Sequence, residues 1–374
     1  MREILICTVG TSLLTNRNRE NFKELQKYIE KKNVQGVVES LLEIDSSQRG
    51  CGAEINSINS LIKKGEIGKR NWCIFLVSDS PEGEFVGSVL ERYFDSSKNR
   101  LRFENTDTVV IKGLTDTDIN RFRSVGLRNL VKETGKIAKK YGASKILINA
   151  TGGYKAQISF AGMIGQALGI PVAYMHERFN ECIILPPQPV NLDMNFWLQY
   201  GEDFFALNNG TSERESYYLN KDVRFGPLIE SIDIDGEILT SLTATGQLFH
   251  ETFSVNFLQR EEEFLPEKCK IIPENKKVRY EDSNSGKHKG LKEFIGKIIK
   301  EPFVVSVASS YYNRDLSKKI TFRISSKCNQ NQIEGVYSSF GKTTNVFITT
   351  TSESENQRKA CCNYLLQKAE TGFY

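Results

Sequence analysis

The chain alternates short unbroken apolar runs with stretches whose apolar residues recur every three or four positions. Ile4–Val9, Trp72–Val77, Thr108–Ile111, Lys145–Ile148 and Pro171–Tyr174 are runs of strand length. Between them stand Phe22, Leu25, Tyr28 and Ile29, then Val37, Val38, Leu41 and Leu42, then Ile55, Ile58, Leu61 and Ile62. Val86, Val89, Leu90 and Tyr93, and later Leu127, Leu130, Val131 and Ile137, follow the same spacing, which places each group on one face of a helix. Strands that are apolar throughout belong to a sheet covered on both faces. Strand–helix–strand repetition therefore predicts an α/β, doubly wound parallel sheet over residues 1–190. Glu181–Leu185 is expected to pair back on Pro171–Tyr174 around His176–Asn180, and the prolines at 186, 187 and 189 close the domain.

The pattern changes over 191–265. Asn195–Phe205 reads as a short aromatic helix and Asn208–Ser216 as a polar loop. Asp222–Ile234 alternates, Asp235-Gly236 is a hairpin turn and Ile238–Leu242 continues as strand. Thr243 then caps a helix opening Ala244-Thr245-Gly246-Gln247-Leu248. Leu239–Leu248 resembles the last strand and helix of winged-helix domains, and it also fits a plain connecting subdomain. In the third segment, 266–374, the order is helix (Leu291–Ile299), strands (Phe303–Val307, Lys319–Ile324, Gln332–Tyr337, Val346–Thr350) and a final helix from about Glu355 to Ala369. That order makes a small α+β domain.

Charge adds a division that hydropathy does not. The chain carries 50 basic and 46 acidic residues. From Pro266 onward there are 19 lysines and arginines against 11 acids, so a basic tail follows a mildly acidic body. A polyanion partner or a lysine-solvated surface would each account for it. No apolar run approaches the ~20 residues that span a bilayer, and the start of the chain lacks the long apolar stretch of a signal peptide, so cytoplasm and no membrane partner are expected. The eight cysteines include no Cys-x-x-Cys and no zinc spacing, so neither metal nor disulfide framework is expected, and Cys7 and Cys73 read as core residues.

The sharpest chemical motif is Asn149-Ala150-Thr151-Gly152-Gly153-Tyr154-Lys155, between a strand and a helix. Glycines there let a ligand approach backbone N–H groups, a helix N-terminus favours an anion, and Lys155 adds a positive charge. The first strand ends in Thr8-Val9-Gly10-Thr11-Ser12 and the second in Ser78-Asp79-Ser80. Three hydroxyl-rich strand ends on one sheet edge point to a phosphate or nucleotide pocket. Neither Gly-x-Gly-x-x-Gly nor a Walker-type loop is present, which disfavours dinucleotide cofactors and NTP hydrolysis.

The pair Thr8–Leu14 and Asn149–Lys155 resembles the CARF domain of CRISPR-associated effectors, over roughly the first 190 residues. The resemblance implies a Rossmann-like homodimer that binds a cyclic oligoadenylate, cyclic tetra-adenylate foremost, as an allosteric activator and without a further cofactor. It implies Gly10, Thr11, Ser12, Ser78, Asn149, Thr151, Gly152, Gly153, Tyr154 and Lys155 as ligand-binding residues. Some family members also cleave the ring through a ribose 2′-OH, a task that Ser12 and Lys155 suit.

The effector must then lie further along. The only histidines, His176, His250 and His288, follow Pro171, Thr245 and Ser283 by five positions, so an Arg-x4-His nuclease motif is absent. Glu274-Asn275-Lys276 is the nearest approach to an acid-x-Lys nuclease strand, but Pro273 precedes it. Leu291–Leu366 instead resembles a RelE-type toxin domain, the ribosome-dependent messenger-RNA interferases, and the whole is similar to CARF–RelE fusions. That implies a metal-independent endoribonuclease acting through the RNA's own 2′-OH, with mRNA and the ribosome as partners. Lys and Arg would stabilise the phosphorane. Lys319, Arg323, Arg314, Tyr312 and Lys318 are the candidates, with Arg358 and Lys359 standing in for arginines the family carries on its third strand and after its fourth. Two other readings stay open. One is a ligand-gated DNA-binding regulator, disfavoured by the single Arg224 among the acids of 222–250; the other is a ring nuclease with a non-catalytic C-terminal binding domain.

Overall fold

The computed structural model describes residues 2–15, 22–176, 178–179, 181–188, 193–234, 237–281, 287–312, 320–339 and 341–374, with backbone alone at 234, 311, 312 and 320. The chain forms two compact units. Met1–Leu192 joins Glu213–Val255 in the first, and Asp193–Ser212 joins Asn256–Tyr374 in the second. The stretch 191–265, expected as one connector, is thus shared between them.

The first unit is built on a six-stranded sheet of β1 (Arg2–Thr8), β2 (Ile67–Ser78), β3 (Asn105–Ile111), β4 (Ile146–Asn149), β5 (Val172–Tyr174) and β6 (Ile183–Leu185). Its order is β3-β2-β1-β4-β5-β6; β1 to β5 run parallel and β6 returns antiparallel on β5, the hairpin expected from the sequence. Side chains of β1 alternate between faces. Leu5, Cys7 and Val9 enter a core with Val37, Leu41, Ile55, Ile58, Val86 and Val89. Ile4 and Ile6 enter the opposite core with Leu127, Leu130, Val131, Ala161, Ile164 and Leu168. Among the helices that cover the two faces, Ala53–Lys63, Pro81–Asp95 and Leu127–Tyr141 are ones the apolar spacing predicts, and Lys155–Leu168 is the helix expected after the glycine turn. The Ser80 side chain caps Pro81–Asp95 by accepting from Gly83 N–H, and Gly169 in the left-handed region ends Lys155–Leu168.

Residues 213–255 add β7 (Ile229–Ile234) and β8 (Glu237–Leu242), an antiparallel pair, and the start of helix Ala244–Gln259. Thr243 Oγ1 accepts from Gly246 N–H at 3.0 Å, the expected cap. Two expectations are corrected here. The helix Glu215–Lys221 begins where a polar loop was expected, and Val223–Leu228 is a 3-10 segment rather than the start of the strand. Pro227 and the Asp222 carboxylate, which accepts from Arg224 N–H, set that local turn.

The second unit holds a five-stranded sheet of β9 (Lys277–Tyr280), β10 (Val304–Tyr312), β11 (Ile320–Arg323), β12 (Gln332–Ser339) and β13 (Lys342–Thr350), in the order β11-β12-β13-β10-β9. The four strands expected from the sequence pair antiparallel, whereas β9 runs parallel to β10. β9 was not expected: its four residues are polar or exposed and carry no apolar alternation. The helix Leu291–Ile298 buries Leu291, Phe294, Ile295 and Ile298, and Glu355–Glu370 buries Ala360, Cys361, Leu365 and Leu366. The aromatic helix expected at 195–205 is two, Met194–Gln199 and Gly201–Asn208, parted at Tyr200. Among the described residues no helix is long and apolar enough to cross a membrane.

Candidate functional site

In the first unit the strand order reverses at β1, whose neighbours β2 and β4 lead to opposite halves of the sheet. Beyond the carboxyl ends of strands at such a reversal lies the crevice where open α/β sheets take ligands. The turn after β1 and the turn after β4 meet there. A Cβ built on Gly10 would stand 2.6 Å from Gly153 N, so the two backbones touch and no larger residue fits. Gly153 has φ +110°, a conformation that side chains disfavour. Thr8 Oγ1 donates to Gly152 O at 2.5 Å and fastens one turn to the other.

A buried carboxylate underlies this junction. Glu54, in the first turn of helix Ala53–Lys63, is 1% exposed. Its Oε1 accepts from Gly10 N–H at 2.8 Å and its Oε2 from the Ser12 hydroxyl at 2.9 Å. Ser12 Oγ in turn accepts from Ala53 N–H at 2.9 Å. A Cβ on Gly152 would fall 2.0 Å from Glu54 Oε1, so the carboxylate touches both turns. Burial pushes the Glu54 carboxyl above the usual range, against the opposing pull of hydrogen bonds from Gly10, its own backbone and Ser12.

The remaining residues divide into supports and exposed groups. Asn149 is buried; its Nδ2 donates to Ser57 Oγ at 2.8 Å and its Oδ1 accepts from Thr151 Oγ1 at 2.7 Å. Thr151 Oγ1 also accepts from Met175 N–H. Gln157, fully buried, accepts from Tyr154 N–H and donates to Leu76 O at the end of β2. Ser78 is buried, 2.9 Å from Ser80 Oγ, and the half-buried Tyr154 meets the Phe122 ring edge-on. Thr11 and Lys155 are exposed, and Lys155 forms no ion pair among the described residues. Thus Gly10, Ser12, Gly152 and Gly153 come together as expected, while Asn149 and Ser78 serve from beneath.

Sequence reasoning missed Glu54 and Gln157. It took Thr8 and Asp79 only as members of the strand-end motifs, and it missed the partners gathered at the end of β2. There Asp79 accepts from Gly113 N–H at 2.9 Å and pairs with Lys112 and Arg121 at 3.3 and 3.4 Å. The Gly113 hydrogen bond foremost, then the two cations, holds Asp79 below the usual carboxylate range. Glu54 was hidden because an acid in a helix's first turn is commonplace.

Residues 49–188 match the family model described as CRISPR-associated protein (Cas_APE2256). The match takes in the helix of Glu54, β2 to β6 and the Thr151–Lys155 turn. No curated protein matches the chain. Among solved structures, Can2 from Sulfobacillus thermosulfidooxidans, determined in complex with cyclic tetra-adenylate, is 11% identical over 73% of this chain and 69% of its own, with a TM-score of 0.23. Protein VC1899 from Vibrio cholerae is 8% identical over 93% of this chain and 77% of its own, also with a TM-score of 0.23.

In the second unit the expected basic cluster is only partly in view. Arg314, Lys318 and Lys319 lie outside the described residues, and Tyr312 is described as backbone at the end of β10. Arg323, on β11, donates from Nε to the fully buried Glu334 at 2.6 Å. Arg358 donates to Asn329 O at 3.0 Å and pairs with Glu355, which Lys359 also approaches at 3.8 Å. Beside them opens a polar cleft lined by Asn329–Asn331 and Ser352–Glu355, whose two glutamates make it a poor seat for phosphate. Lys276 donates to Ile299 O and Glu301 O, and Pro273–Asn275 is a 3-10 turn, so Glu274-Asn275-Lys276 does not form a nuclease strand. Among the described residues no group of three His, Cys, Asp or Glu could hold a metal ion.

Proposed function

We propose that this chain is a cyclic-oligoadenylate-responsive CRISPR effector. Its first unit takes the ring at the Gly10–Ser12 and Thr151–Lys155 turns, and its second unit carries a metal-independent endoribonuclease that cleaves ribosome-bound mRNA. The observation that carries the reading is the contact of Gly10 with Gly153 at the reversal of strand order. It makes a rim of backbone and hydroxyl groups with Lys155 exposed beside it. Such a rim suits phosphodiesters, and a two-fold ring suits two copies of the chain presenting the same turns. The CRISPR-associated match over 49–188 supports the same reading.

A second reading, a ring nuclease whose C-terminal domain binds without cutting, draws on the engagement of Arg323 and Arg358 by carboxylates. The test is RNA cleavage by the purified full chain, with and without cyclic tetra-adenylate and translating ribosomes, scored together with loss of the ring. Ring-dependent cleavage of mRNA supports the first reading. Ring loss without RNA cleavage supports the second, and neither activity together with no binding overturns both.

A further inference from the structure

The donors that an anion would seek at the rim are already in use. Gly10 N–H and the Ser12 hydroxyl both point at the Glu54 carboxylate, which also lies against Gly152. The groups facing it are Gly10 and Ser12 from the β1 turn and Gly152 from the β4 turn. None of these is charged or titrates near neutrality. Lys155, three residues past Gly152, is the cation along the described rim, and it is exposed. A phosphodiester settling on these turns would therefore meet a buried negative charge and a serine whose hydrogen is spoken for.

We propose that Glu54 is a resident anion that the ligand must neutralise, so that filling the rim is coupled to uptake of one proton on the Glu54 carboxyl. The inference rests on the ring-binding reading and adds its regulation. A proton from solvent bonds to Glu54 Oε2, and the new O–H donates to Ser12 Oγ. The Ser12 O–H, released from Oε2, turns outward and donates to a phosphate oxygen, while Gly10 N–H keeps Oε1. Neutralisation removes the repulsion and supplies a donor in one event. Burial of the carboxyl favours its protonated form, so the proton is taken up more readily there than on an exposed acid.

The experiment is titration calorimetry of cyclic tetra-adenylate into the full chain from pH 6 to 8, in two buffers of different ionisation enthalpy, for the wild type and Glu54→Gln. Glutamine reproduces the neutral carboxyl, with a carbonyl for Gly10 and an N–H for Ser12. The wild type is expected to take up close to one proton, and to bind up to about tenfold more weakly for each unit that pH rises. Glu54→Gln is expected to take up none and to bind at least tenfold more tightly at pH 7.5. Binding by the wild type with no proton uptake overturns the inference and leaves the ring-binding reading standing; that measurement needs no variant. If neither protein binds the ring at any pH, that reading fails. The coupling is then read with tripolyphosphate as the anion, where equal stabilisation of wild type and Glu54→Gln overturns the inference too.

Discussion

Arg323 and Glu334 face each other across β11 and β12, with Nε 2.6 Å from a carboxylate oxygen that has no solvent exposure. Asn345 Nδ2 donates to the other oxygen at the same distance. Arg323 thus compensates a buried charge. Arg323→Ala is expected to lower unfolding free energy by about 1–3 kcal/mol, at the low end because Arg323 is itself partly exposed. Urea denaturation measures this, and RNA cleavage by the folded fraction then shows whether the guanidinium also serves chemistry.

Gly152 and Gly162 stand ten residues apart in opposite circumstances. A methyl on Gly152 collides with Glu54, whereas one on Gly162, inside helix Lys155–Leu168, meets nothing within 4 Å. Gly162→Ala should stabilise by about 0.5–1 kcal/mol, because alanine is the better helix former. Gly152→Ala should destabilise by about 1–3 kcal/mol, as overpacking does, and abolish ring binding. Melting curves of the two variants should move in opposite directions.

His250 is wholly buried on helix Ala244–Gln259, and burial foremost, with Lys139 and Lys132, drives its pKa well below the ordinary value. The folded state keeps it neutral while the unfolded chain protonates near pH 6.5. Stability is therefore intact above that value and falls as pH drops below it, by at most about 1.4 kcal/mol per unit. In His250→Gln this part of the slope should vanish. Glu54 works in the opposite sense: its raised value favours the fold below the carboxylate's usual pKa, and the benefit fades as pH rises through the folded one. The pH dependence of unfolding, compared variant by variant, separates the two.

Lys155 is exposed at the first position of its helix. Lys155→Ala should leave stability within about 0.5 kcal/mol and weaken binding of cyclic tetra-adenylate at least tenfold. Retention of full affinity would remove Lys155 from the rim. Lys319→Ala should leave ring binding unchanged while reducing RNA cleavage.

The parallel sheet was legible because its inner strands are buried on both sides and so announce themselves as uninterrupted apolar runs, as β1 and the core of β2 do. β9 was not, since an exposed edge strand needs only backbone partners and Lys277–Tyr280 carries no pattern. The meeting of Gly10 with Gly153 could be anticipated from two glycine turns at strand ends, given the rule that ligands gather there. Glu54 could not: nothing local distinguishes an acid that caps a helix from one buried against two distant turns. The same holds for Arg323 and Arg358, whose basic character was visible and whose carboxylate partners, Glu334 eleven residues away and Glu355 one helical turn back, were not weighed.

Gly10, Gly152 and Gly153 crowd one another and their neighbours. A surface written in main-chain atoms cannot be retuned by exchanging side chains, because at these three positions any added carbon collides with its neighbours. Discrimination among competing guests is therefore left to the periphery, where Thr11 and Lys155 stand in solvent and can be varied without disturbing the floor.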